Sequence, residues 1–222
     1  MGTISANKLG GLALMVAPVI TLIFFFLQPG GSFVDAADPA LAEKTIPAMV
    51  SNAGLGKLTS VIIPIGLLVF LWGIFVLQGN IRSNGNGDAL SRLGAQFILV
   101  GVIGWVVVSG ASLAITGTDV VADQAASTFE SLYLATVGIN TISGIIAGLG
   151  FLALALAIST REDYNKLFAL VAAVAAVVAV VAAIISGFDI EQLEAMNLIT
   201  GITYLVHMVW FFTLGRSLSQ SE

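Results

Sequence analysis

A chain of 222 residues that is 58 % hydrophobic and 9 % charged is too apolar for a water-soluble domain, in which about a quarter of residues carry charge. Having no cysteine, it can form no disulfide, thiolate metal site or cysteine nucleophile, and a formal net charge of −5 leaves no basic surface for nucleic acid. The apolar runs occupy so much of the length that no separate soluble core remains, which predicts one all-α, membrane-embedded domain.

Taken in order, a short polar tail to Lys8 precedes an uncharged run, residues 9–27, that contains Pro18 and ends at Gln28-Pro29-Gly30-Gly31. This run exceeds the length of a signal-peptide core and reads as a retained first span. Residues 30–57 form a long connection in which Asp38-Pro39 can cap a short helix, with Pro47 and Gly54-Leu55-Gly56 expected to break it up. A second span follows at 58–77, with Pro64 inside it, and then Asn84-Gly85-Asn86-Gly87-Asp88, whose residues favour a tight turn. The third span is 93–115. From Asp119 a helical pattern through Val121, Ala125, Phe129 and Leu132 leads without a break into the fourth span, 134–158, which holds the GxxxG pair Gly144 and Gly148. Eight residues, 159–166, join it to the fifth span, 167–186, so these two spans are expected to be antiparallel neighbours. In the fifth span Ala169, Ala172, Ala176, Ala179 and Ala183 recur at spacings of three and four and form a seam along one helix face. Asp189 then reads as the cap of a helix that passes Glu191 and Glu194 into the sixth span, 197–214.

Six spans sort the charges. Lys8, Arg82, Arg92, Arg161, Lys166 and Arg216 fall on the side of the two termini with four acids, whereas the other side has Lys44, Lys57 and nine acids. That basic asymmetry predicts a six-helix transmembrane bundle with both termini cytoplasmic, and with no sequon to mark a luminal loop the expectation is a multi-pass protein of a prokaryotic cytoplasmic membrane.

The spans as drawn contain no Asp, Glu, Lys or Arg, which counts against a proton pump, an ion-coupled carrier or a voltage sensor. His207 is the single histidine and sits near the middle of the sixth span, with Thr203 and Tyr204 one turn before it. Burying an imidazole requires a partner, so His207 should face the bundle, either as a ligand for haem or metal or a hydrogen-bonding partner of a small molecule, or as a neutral side chain bonded to Ser109, Ser112, Asn140 or a backbone carbonyl of a neighbouring helix. His207, Tyr204, Thr203 and Asn140 are thus the candidate polar site, and Trp72, Trp105 and Trp210 read as anchors or packing residues. A lone histidine cannot assemble a usual zinc, copper or di-iron set, and no cofactor is assigned. The first functional expectation is a non-enzymatic structural or accessory subunit. It would associate through Gly144, Gly148 and the alanine seam into a homo-oligomer or larger membrane complex, with membrane lipid as its other partner. The alternatives are a protein that binds or transports a neutral or lipophilic small molecule in a cavity near His207, and a single-histidine haem protein.

Overall fold

The computed structural model describes residues 4–84 and 87–220. Seven α-helices account for nearly all of them: α1 (Ala6–Phe26), α2 (Ala42–Ser51), α3 (Ala53–Asn84), α4 (Asp88–Thr116), α5 (Ala122–Ser159), α6 (Lys166–Phe188) and α7 (Leu193–Gln220), with a single 3-10 turn, Ile190–Gln192, before α7. All except α2 are long and apolar enough to cross a membrane, which makes six candidate spans, each enclosing or nearly enclosing its predicted run. As the pattern from Asp119 required, α5 is one continuous helix from its extramembrane start to Ser159. Ser5 caps α1 through Lys8 N, and Asn165 caps α6 through Leu167 N and Phe168 N. The Asp189 carboxylate accepts from Glu191 N and caps the 3-10 turn rather than α7 itself.

The long connection departs from expectation at two points. Asp38 accepts from Ala40 N in a turn, and α2 begins only at Ala42. Pro47 lies inside α2, and Gly54 and Gly56 belong to the first turn of α3, so none of them ends a helix. Proline removes a single backbone hydrogen bond, which a helix packed on its neighbours tolerates. Of the predicted tight turn, Gly85 and Asn86 lie outside the described residues, and Gly87 has φ +85° at the start of α4.

Each spanning helix packs on the next in sequence, and α7 packs back on α1, closing a six-membered ring. Small residues set the spacing. A Cβ on Gly11 would strike the carbonyl of Gly215 and one on Gly215 that of Gly11, so α1 and α7 touch backbone to backbone and the two chain ends lie at one end of the bundle. At Gly94 a Cβ would come within 2.8 Å of the Gly150 carbonyl, which fixes α4 against α5 in the same way.

Three phenylalanines fill the axis of the ring. Phe70 of α3, Phe151 of α5 and Phe211 of α7 come from helices that are not ring neighbours, with centroids 4.7 Å (Phe70–Phe211), 5.5 Å (Phe151–Phe211) and 6.4 Å (Phe70–Phe151) apart. From this layer toward the basic end the core is aliphatic, with Leu14, Ile74, Leu77, Ile81, Ile98, Leu154, Ile158 and Leu218 all fully buried. Toward the acidic end the buried set changes to hydroxyls, among them Thr59, Ser109, Thr116, Thr136, Ser143, Ser186 and Thr203. Each of these hydroxyls donates to a carbonyl of its own helix.

Both ends are tied down. At the acidic end α2 packs on α5, α4 and α3 through Ile46, Ile115, Ala125 and Tyr133, and the Tyr133 hydroxyl donates to Pro39 O at 2.7 Å. At the basic end Arg161 forms a two-point pair with Asp163 (2.9 and 2.6 Å), reaches the Ile81 carbonyl, and lies over the Tyr164 ring.

Candidate functional site

Helix α7 carries the site because one of its faces looks down the ring axis. Thr203, His207, Trp210, Phe211, Leu214 and Leu218 repeat at spacings of three and four and are all buried. His207 is 2 % exposed. Its Nδ1 lies 2.7 Å from the Thr203 carbonyl one turn back, and since a carbonyl only accepts, Nδ1 carries the proton. The neutral ring therefore presents a lone pair at Nε2, and Nε2 is buried without a hydrogen-bond partner. Neither Ser109, Ser112 nor Asn140 serves as the ring's partner; the Thr203 carbonyl of its own helix holds it, and the Ala172 backbone of α6 is the contact with a neighbouring helix.

The surroundings of the ring are aromatic. Phe151 is 4.9 Å away, tilted by 35°, and Trp210 and Phe211 stand at 6.3 and 6.5 Å. The backbone of α6 at Ala172 stands beside the same ring. Trp210 is 1 % exposed, and its Nε1–H is the second buried polar group of this cluster without a partner. A donor and an acceptor thus lie one helical turn apart in an apolar layer, each costing about 1–3 kcal/mol if left unmade.

One turn toward the acidic end, Tyr204 crosses the ring interior. It packs edge-on against Trp105 of α4, at 6.0 Å and 87°, and its hydroxyl is 3.9 Å from the position a Cβ on Gly144 would take. Tyr204 is half-buried. Asn140, one turn beyond Gly144 on α5, is half-buried as well. Among the described residues neither the Tyr204 hydroxyl nor the Asn140 amide has a hydrogen-bond partner. Thr203, the fourth predicted site residue, is satisfied by the Thr200 carbonyl and supplies the carbonyl that orients His207.

The helix-packing residues make contacts within the chain. Ala169, Ala172, Ala176, Ala179 and Ala183 are all buried within the chain. Gly148 faces Val180 and the Ala176 carbonyl, and the nearest neighbour to a Cβ on Gly144 would be Ala183 or Tyr204. The GxxxG face of α5 and the alanine seam of α6 thus meet each other within the chain. Sequence reasoning did not find Phe70, Phe151 and Phe211 as the axial plug, nor Trp210 as an unpartnered donor. Phe211 and Trp210 stand four and three positions from His207, which placed them beside its face, but Phe70 and Phe151 carry no such signal.

Together, the ring of six apolar helices and its polar interior define a multi-pass membrane protein of all-helical architecture. In comparisons with known proteins, the chain matches no protein family, no curated protein and no solved structure.

Proposed function

We propose that this chain is a non-enzymatic binding protein of a prokaryotic cytoplasmic membrane, with both termini cytoplasmic, and that it holds a small neutral molecule in the outer half of its ring. One observation carries this reading: His207 Nε2 and Trp210 Nε1, one turn apart on α7, are buried without a hydrogen-bond partner, and among the described residues the half-buried Tyr204 hydroxyl and Asn140 amide make no hydrogen bond either. Native interiors rarely leave such groups unmatched, so a bound molecule offering both a donor and an acceptor matches them better than hydrocarbon does. The hydroxyl-rich half of the ring lies toward the acidic end, where Asn197 of α7 is exposed. Because Phe70, Phe151 and Phe211 close the axis, the reading is of binding in a blind recess rather than of passage through the bundle. A haem on His207 fits poorly, since the ring is confined by Phe151, Trp210 and the α6 backbone and adjoins no slot for a macrocycle.

The test is organic extraction of protein purified in mild detergent, followed by mass spectrometry. A compound present at near one per chain in the wild type and lost from the double variant Asn140→Leu, Tyr204→Phe supports the reading. Equal recovery from both proteins rejects it.

An accessory-subunit role has one observation in its favour, at a place other than the small-residue faces. Between α4 and α5 a lipid-facing groove of about 390 Å³ is lined by Val100, Ile103, Gly104, Gly138, Ile139, Ile142, Ser143 and Ile146, and a Cβ on Gly138 would meet nothing. Such a groove accepts the side chains of another apolar helix. The native chain lacks cysteine, so Ile142→Cys introduces a single thiol. Its cross-linking to a second copy or another membrane protein in native membranes would support this role, and a product confined to monomer would reject it.

A further inference from the structure

A second groove runs along the joint between α6 and α7, lined by Phe168, Val171, Val206, Val209 and Trp210, with a volume of about 190 Å³. Phe168, Val171 and Val209 are exposed, so this groove is open to hydrocarbon, whereas Trp210 is buried and belongs to the axial core as well. The helix wheel shows why. At about 100° per residue, Trp210 lies about 40° round α7 from Val206 and about 60° from His207, on the arc between the groove and the axis. On α6, Ala172 stands about 40° from Phe168, and its backbone is beside the imidazole. Trp210 is thus a wall of the groove and also a neighbour of the His207 ring, with 6.3 Å between ring centroids.

The two unmatched groups behind this wall select the chemistry of an occupant. His207 Nε2 offers only a lone pair and Trp210 Nε1 only a proton, and a hydroxyl is the smallest group that serves both, accepting from the indole and donating to the imidazole. A ketone or an ether accepts from Trp210 and leaves Nε2 bare. A charged head is excluded by its burial cost, since residues 167–188 of α6 and 195–215 of α7 contain no Asp, Glu, Lys or Arg to pair with it. The groove in turn selects the remainder of the molecule, because its walls are hydrocarbon and indole and it faces lipid. Building on the binding role proposed above, we infer that the ligand is a neutral lipophilic alcohol taken from the bilayer, with its hydroxyl at His207 and Trp210 and its apolar body in the α6–α7 groove. Each of the two hydrogen bonds should be worth about fivefold in affinity.

The experiment titrates the full chain in phosphatidylcholine nanodiscs with 1-dodecanol, dodecyl methyl ether or dodecane, each as a mole fraction of the lipid so that partitioning cancels. The readout is the indole N–H resonances of the three tryptophans, with that of Trp210 assigned by its loss in Trp210→Phe. Dodecanol should bind about fivefold more tightly than the ether and move the Trp210 resonance downfield, and dodecane should bind weakest and leave it in place. His207→Leu should reduce dodecanol to the level of the ether, and Val209→Trp, which fills the groove from an exposed position, should weaken all three. Equal binding of alcohol and ether, an alcohol advantage that survives His207→Leu, or a Trp210 resonance unmoved by bound dodecanol, as when water already bridges the pair, would overturn the assignment. The double variant Asn140→Leu, Tyr204→Phe should keep the dodecanol response, so a failure of the extraction test above and a failure here are told apart. Wild type and His207→Leu decide the question even if Val209→Trp does not fold.

Discussion

At His207 the free energy of one ring is divided unevenly between its two nitrogens. The Nδ1–H bond to Thr203 O holds the tautomer and the angle of the imidazole, while Nε2 gains nothing from the Phe151 and Trp210 rings around it. Leucine keeps the volume and removes the unmatched acceptor. His207→Leu should therefore leave the unfolding midpoint of ligand-free protein unchanged or slightly higher, within about 1 kcal/mol. His207→Ala, which opens a cavity in the axial layer, should cost about 2–4 kcal/mol. A large loss with leucine would mean that Nε2 is matched after all. Glycines divide in the same way by what stands opposite them. Gly101, where a Cβ would fall 2.7 Å from the Ala147 Cβ and 2.9 Å from the Ser143 carbonyl, should lose about 1–3 kcal/mol as alanine. Gly79, with nothing within 4 Å, should gain about 0.5–1 kcal/mol from the same change, as an ordinary helix position does. Chemical unfolding of the two variants side by side checks the sign of each.

At the scale of elements, the helices were legible because hydrophobic runs of span length, capping residues and short polar connections all point to the same boundaries. The α2 region misled because Pro47 and the Gly54-Leu55-Gly56 run read as breakers when considered alone, whereas packing of Ile46 and Tyr133 decides that segment. The clamp between α5 and α6 was equally hidden. An Arg-Glu-Asp-Tyr sequence looks like any polar connection, yet Arg161 has a side chain only 5 % exposed, and the Tyr164 hydroxyl donates to Asn80 Oδ1 of α3. Arg161→Gln should cost about 2–3 kcal/mol, and lysine should restore little, because an ammonium cannot hold both Asp163 oxygens and the Ile81 carbonyl at once. The clamp also has a pH signature. Its hydrogen bond from Arg161 holds the Asp163 carboxyl below the usual range, so the pair is complete at neutral pH and loosens only below about pH 4, as acid protonates it. Burial, aided by the Asp163 charge, pushes the Tyr164 phenol up to about 12. An unfolded chain ionises this tyrosine near pH 10, so its contribution is full below about 10 and is lost as pH rises toward 12. Melting curves across pH 9–12 should fall less steeply for Tyr164→Phe than for the wild type; parallel curves would remove the buried phenol from the account.

For the whole molecule, the order of helices around the ring follows from the connections. Short links between α3 and α4, α4 and α5, α5 and α6, and α6 and α7 make each pair antiparallel neighbours, and the ring then needs α1 to pack between α3 and α7 to close. The contact of α1 with α7 is glycine on glycine, Gly11 against Gly215, and no pattern in either helix alone announces it. The small-residue seam is legible in the same limited way: a sequence shows that a face allows close approach, and not whether the approaching helix belongs to the same chain. Placement in the membrane is the remaining property of the whole ring, and it has a direct test in a chain without cysteine. Ser51 ends α2 at the acidic end, Ile190 stands in the 3-10 turn of the same end, and Glu162 lies in the α5–α6 connection opposite; all three are exposed. As single cysteines in intact cells, Ser51→Cys and Ile190→Cys should react with a membrane-impermeant maleimide, and Glu162→Cys only after permeabilisation. Reversed labelling would invert the orientation proposed from the basic residues and move the binding recess to the cytoplasmic side. Reaction of all three from one side would contradict a ring that spans the bilayer, because six antiparallel helices hold these positions at opposite ends.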